Sequence, residues 1–187
     1  MVCGHWWRAM RRFWLLGLGF LALTISAAAQ KEHRQPLSEK QVDDIREAGI
    51  DPDARIKLYT QYVGERVDTI KGLTPRIHSG ARTKRLDNEL QDLTALMDEL
   101  GANLDQYGER KSDLRKSLKT LSESTKQWQE TLNALPSEPG FDLSRKEAID
   151  SEKDLADQAT QMLKEQTEYF AAHKDEKGQE RAEPKPQ

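Results

Sequence analysis

Histidines, clustered carboxylates and one cysteine are the side chains of this 187-residue chain that could carry chemistry, and their spacing argues against most of it. The histidines are His5, His33, His78 and His173. None belongs to an H-E-x-x-H helix or to the Glu-x-x-His pairs with which helical bundles hold two metal ions. His33, His78 and His173 therefore read as solvated side chains. His78-Ser79-Gly80 lacks the pattern of a nucleophile elbow, and no glycine loop is built to cradle phosphate. Asp92, Asp98, Glu99, Asp105 and Glu109 crowd one stretch. Without the turning glycine and terminal glutamate of a calcium loop, they read as the wet face of a helix. Cys3 precedes an apolar run near the start, so the rest of the chain offers no thiol for a disulfide, a metal or a nucleophile. The expectation is a non-enzyme with no cofactor; a metal-binding bundle ranks third among the functional readings.

Contact chemistry is better represented. From Asp87 to Glu109 there are seven acids and no base, whereas Arg110, Lys111, Arg115, Lys116 and Lys119 follow within ten residues, against Asp113 alone. Those five bases are the candidate contact residues. Tyr59 and Tyr62, three apart on a helix, are a second candidate patch, with packing in the interior as the alternative. Trp128, Tyr107 and Phe170 fall on apolar stripes and read as core. A further basic stretch holds Arg76, Arg82, Lys84 and Arg85. Nucleic-acid binding needs a basic domain with stacking aromatics, whereas the formal net charge here is −3, so that use is excluded. An anionic lipid or polysaccharide of the envelope remains compatible with the basic patches. Two chains laid antiparallel would set acidic half against basic half, and such complementarity orients partners more than it strengthens them. Salt-sensitive self-association, or a protein partner of matching charge, is expected.

The elements that must position these residues are helices. Charged residues make up 33% of the chain against 36% hydrophobic, a balance suited to long thin helices rather than a thick core. Arg8, Arg11 and Arg12 precede an apolar run from Phe13 to Ile25, and Ser26 to Ala29 supply small residues. These are the parts of a secretory signal ending after Ala29. The run is about 13 residues, too short for the roughly 20 that span a bilayer. The chain is thus expected outside the cytoplasm, periplasmic or secreted, touching a membrane only if the signal is retained. Arg11-Arg12 followed by Phe13 resembles part of a twin-arginine export motif. Removing residues 1–29 takes away three bases and no acid, leaving a more acidic chain.

Residues 30–50 read as a polar linker with a short helix capped by Ser38 and stopped at Gly49. Asp51-Pro52 opens the next helix, with Asp51 as the cap and Pro52 at its first position. Ile56, Val63, Ile70 and Ile77 recur every seven residues, and Pro75 ends it. The strongest periodicity runs from Leu86 to Leu135 in alternating steps of four and three, interrupted only by Lys111 and Thr125. One phase held that long favours a single continuous helix of about 75 Å. Gly101 and Gly108 each oppose it by about 1 kcal/mol. Pro136, Pro139 and Gly140 then turn the chain. Ser144 and Glu147 read as a capping box, with Leu143 as a staple, for a last helix ending at His173. The tail KDEKGQERAEPKPQ, residues 174–187, has nothing to bury and reads as disordered. The expected fold is all-α: a helical domain over residues 51–173, built as an elongated antiparallel bundle around the long central helix. A four-helix up-and-down bundle broken near Gly108 is the alternative.

The stretch DPDARIKLYTQYVGERVDTIK, with the region around Trp128, resembles a segment of uncharacterised exported helical proteins of bacteria. That resemblance implies an exported α-helical protein and transfers no activity and no site residue. In outline alone, a chain of long charged helices is also similar to periplasmic holdase chaperones, though it carries no diagnostic motif of theirs. The leading expectation is an exported interaction or scaffold protein of the cell envelope; a holdase that shields unfolded clients is the alternative.

Overall fold

Local sequence signals set the helix starts, and the computed structural model, which describes residues 35–173 apart from positions 77 and 111, shows five helices. α1 is Glu39–Glu47: the Ser38 hydroxyl accepts from the Gln41 N–H, the Gln41 side chain answers the Ser38 N–H, and Gly49 leaves the helix at φ 59°. α2 is Pro52–Leu73, where the Asp51 carboxylate accepts from the Asp53 and Ala54 N–H groups. These ends form as the caps and Gly49 predict. α3 is Gly80–Glu109, capped by the Ser79 hydroxyl. α4 is Arg115–Asn133 and α5 is Asp142–Ala172.

The all-α bundle is as expected, but the continuous central helix is not. The chain leaves helix geometry after Glu109 and resumes at Arg115. The alternative with a break near Gly108 therefore describes the molecule. Gly101 lies well inside α3, whereas Gly108 is its penultimate residue. A Cβ on Gly101 would stand 3.0 Å from the Gln158 side chain, and one on Gly108 would stand 3.1 Å from Met162. Both glycines let α5 approach closely. Leu114, past the break, is still 1% exposed, so the apolar phase survives a change of direction that the backbone makes.

α2 packs on α3 and α4, and α5 packs on the same two, whereas α2 and α5, like α3 and α4, stand diagonally apart. Pairings between elements fix the directions. Tyr59 meets Glu99 and Arg66 meets Glu89, so α2 and α3 run antiparallel. Ser144 meets Asp87 and Ser151 meets Asp98, so α5 runs parallel to α3. Of the two helices it packs on, it is antiparallel to α4. The expected antiparallel packing around one central helix is corrected accordingly: α2 and α5 each lie against both α3 and α4. The fold is two hairpins, α2–α3 and α4–α5, side by side, joined by residues 110–114 crossing the diagonal.

That crossing is held by one side chain. Gln166 of α5 accepts from the Leu114 N–H at 2.8 Å and donates to the Ser112 carbonyl at 2.9 Å. Both backbone groups would otherwise lack partners in a poorly hydrated place. The core between the helices takes Ile56, Val63 and Ile70 from α2, Leu86 to Leu104 from α3, Leu118 to Leu132 from α4, and Ala148, Leu155 and Ala159 from α5. Each large side chain moved from water into it contributes about 2 kcal/mol. The small alanines let α5 sit close. α5 differs from expectation at its start: Ser144 caps nothing and instead donates to Asp87, while Leu143 is 70% exposed and staples nothing. The Asp142 carboxylate secures that turn by accepting from the Ser137 hydroxyl and the Glu138 N–H. The expected signal segment, residues 30–34 of the expected linker, Ile77, Lys111 and the stretch from 174 lie outside the described residues.

Candidate interaction surface

Of the five candidate bases, Arg110, Lys116 and Lys119 are exposed and have no ion pair among the described residues. Arg115 is half-buried. Its guanidinium pairs with Asp113 at 2.6 Å and lies 4.7 Å above the Phe170 ring, so it closes the end of the bundle. Lys111 is outside the described residues. Among the described residues, the candidate bases that remain exposed and outside any ion pair are Arg110, Lys116 and Lys119.

Tyr59 and Tyr62 form no surface patch, because both rings are buried, at 2% and 4% exposure. The Tyr59 hydroxyl donates to Glu99 and the Tyr62 hydroxyl donates to Asp44 of α1 at 2.9 Å. Burial, followed by the bond to Asp44, pushes the Tyr62 phenol up to about 12. Burial, followed by the bond to Glu99, raises Tyr59 as well. Tyr62 serves to dock α1 on α2.

The acids of α3 are not a uniform wet face. Glu89 and Asp92 are buried toward α2, where Arg66 donates to Glu89 at 2.6 Å and lies 3.4 Å from Asp92. Asp87, Asp98 and Asp105 instead face α5. Ser144 donates to Asp87, Ser151 to Asp98 at 2.7 Å, and Gln158 to Asp105 at 2.6 Å. The donors are seven apart, which keeps them on one side of α5. All three donors are neutral, so none of these hydrogen bonds sets a positive charge against the aspartate. Asp98 and Asp105, with Asp154, border an open groove of about 440 Å³ whose floor is Met97, Gly101 and Leu155. No cation forms an ion pair with these three acids among the described residues.

The second basic stretch divides in the same way. Arg82 is 5% exposed and structural: it donates to the Leu73 and Thr74 carbonyls at the end of α2, and to Glu138 of the α4–α5 turn at 2.9 Å. Exposed His78 lies 3.2 Å from the same carboxylate. Arg76 and Arg85 border a basic hollow of about 590 Å³ beside Arg82. Periodicity identifies Trp128, Tyr107 and Phe170 as core, and each is buried. It misses the partners of the polar groups, because a helix pattern shows which face a residue takes and not what lies opposite.

Among the described residues no three His, Cys, Asp or Glu side chains converge as a metal site, and no helix is long and apolar enough to cross a membrane. No protein-family model, curated protein or solved structure matches the chain. The surfaces are interpreted from their own geometry.

Proposed function

We propose that the chain is an exported, non-enzymatic interaction or scaffold protein of the cell envelope, and that the partner best fitted to it is a second copy of itself. Export is supported by the three arginines, apolar run and small residues that open the chain. The observation that carries the contact reading is charge separated but uncancelled. Among the described residues no ion pair reaches Asp98, Asp105 or Asp154 in the α3–α5 groove, while Arg110, Lys116 and Lys119 stand exposed with no ion pair, Lys116 being close enough to Asp53 to act on it through its field alone. An apolar floor under an acidic rim suits lysine and arginine, whose long stems cover apolar surface while their heads meet carboxylates. A holdase needs open apolar surface in its folded state. Among the described residues Ile50 and Leu143 are the large apolar side chains left exposed, on separate elements. That favours the interaction reading over the chaperone. Sedimentation velocity of the protein purified from its own envelope tests it: association is expected near 20 mM salt and dissociation near 500 mM, where screening is nearly complete. An unchanged monomer at both would overturn the self-association reading.

A further inference from the structure

Three acidic side chains are buried among the described residues, and two of them are matched: Glu89 and Asp92 share Arg66. The third is Glu152, in the middle of α5. It is 1% exposed, and its Oε2 finds no hydrogen-bond partner. An ionised carboxylate with an oxygen that meets neither water nor a donor, and with no compensating charge, is costly, and the cheaper state is the neutral acid.

The packing gives no cation to change that. α5 lies against α3 and α4. On the α4 side, Gln166 meets residues 112–114 and Asp142 meets residues 137–138, so the antiparallel register brings Glu152 to the height of Trp128. The charged groups of α4 near that height are Glu123, Lys126 and Glu130, all exposed. On the α3 side the neighbouring charges are Asp98, bonded to Ser151, and Glu99, bonded to Tyr59. On α5 itself Lys153 and Asp154 are exposed, and Asp157 adds a repelling negative charge. No ion pair reaches Glu152 among the described residues. α4 carries a second unpartnered buried oxygen, Ser122 Oγ.

We propose that Glu152 is a proton-operated latch on the seam between α4 and α5: neutral, it sits in the closed bundle, and once ionised it loosens the hold on α5. Burial, and then the field of Asp157, lifts its carboxyl to about 7 from the ordinary 4.5. The folded chain thus keeps a proton that the unfolded chain has already released. The stability linked to Glu152 is complete below pH 4.5, declines as pH rises, and is gone above about 7. Within that window the unfolding equilibrium constant rises about tenfold per pH unit, roughly two orders of magnitude in all. An exported chain meets the pH of its surroundings, so the latch would make α5 tight in acid and looser at neutrality. The latch stands apart from the interaction reading, since Glu152 lines no surface.

The test is chemical denaturation of the full chain at steps from pH 4.5 to 8.5, for the wild type, Glu152→Gln and Glu152→Leu. Histidines and surface acids contribute alike to all three, so the difference between the curves isolates Glu152. The wild type should lose stability across the window and the two variants should not share that loss. If a variant fails to fold, carbon NMR of the wild-type Glu152 carboxyl decides, with a midpoint near 7 expected. Parallel pH curves for wild type and variants, or an NMR midpoint near 4.5, would overturn the proposal.

Discussion

Along α2, the buried acids of α3, Glu89 and Asp92, meet a guanidinium; along α5, Asp87, Asp98 and Asp105 meet hydroxyls and an amide. Arg66 lies against Glu89 and Asp92 where all three are largely covered. Ser144, Ser151 and Gln158 donate to Asp87, Asp98 and Asp105 at a margin that opens to solvent. The first seam cancels its charge within the chain, so those acids are committed to the fold. The second orients its acids and leaves their charge in place. A neutral donor fixes where a carboxylate points without extinguishing its field, so acids held this way remain available to a cation from elsewhere. The same distinction marks Glu152, which has neither kind of partner.

Breaking the ionic seam should have the largest effect. Arg66→Met takes from Glu89 and Asp92 the guanidinium they share in a covered position, leaving Glu89 the longer contact to Arg85 at 3.8 Å, and removing one partner of a buried pair costs about 3 kcal/mol. Urea denaturation should show that loss, with helical content retained at low denaturant. An equal loss on replacing Asp98 by Asn would erase the difference between the seams. Next in size is Gln166→Ala. It strips partners from the buried Leu114 N–H and the Ser112 carbonyl, and one such unmet group costs about 1 to 3 kcal/mol. The same denaturation should show about 2 kcal/mol, with hydrogen exchange rising first around residues 112–118. Uniform acceleration along the whole of α4 would mean that the crossing is held by something other than this amide.

Much of this was readable without coordinates, and what was not readable has a common cause. Apolar spacing identifies the buried faces of α2, α3, α4 and α5, because a side chain's direction on a helix follows from its number. Ser38 and Asp51-Pro52 mark starts because capping is local. The break after Glu109 is hidden, since Leu114 and Leu118 continue the phase set by Leu104 and Tyr107. A side chain more than fifty residues on, Gln166, bonds the backbone on the far side of that break. Ser144 looks like a cap by its local pattern, yet its hydroxyl is taken by Asp87 of a neighbouring helix. Tyr59 and Tyr62 sit at surface-compatible spacing and are covered by α3 and α1. Among the surface candidates, Arg110, Lys116 and Lys119 are where their charges suggest, while the acidic side of the contact depends on which acids of α3 find Arg66. Pairing across elements is the information a periodicity does not hold.

The smallest change in stability should accompany the largest change in association. In Asp98→Asn combined with Asp105→Asn, each amide oxygen can still accept from Ser151 or Gln158. The hydrogen bonds stay and two like charges on one helix face disappear. Exchanges of this kind shift stability by less than about 1 kcal/mol, since like charges near one another on a helix are mildly destabilising. The groove, however, loses two of its three negative charges. If its rim recruits the Arg110, Lys116 and Lys119 strip of another copy, the double variant should sediment as a monomer at low salt while melting within a few degrees of the wild type. Lys116→Glu with Lys119→Glu should do the same from the other side, and mixing the two variants should restore part of the association, because the intact bases of the asparagine variant then meet the intact acids of the glutamate variant. Association that persists in the asparagine variant would place the contact elsewhere and reduce Asp98 and Asp105 to the role their hydrogen bonds already give them, holding two parallel helices in register.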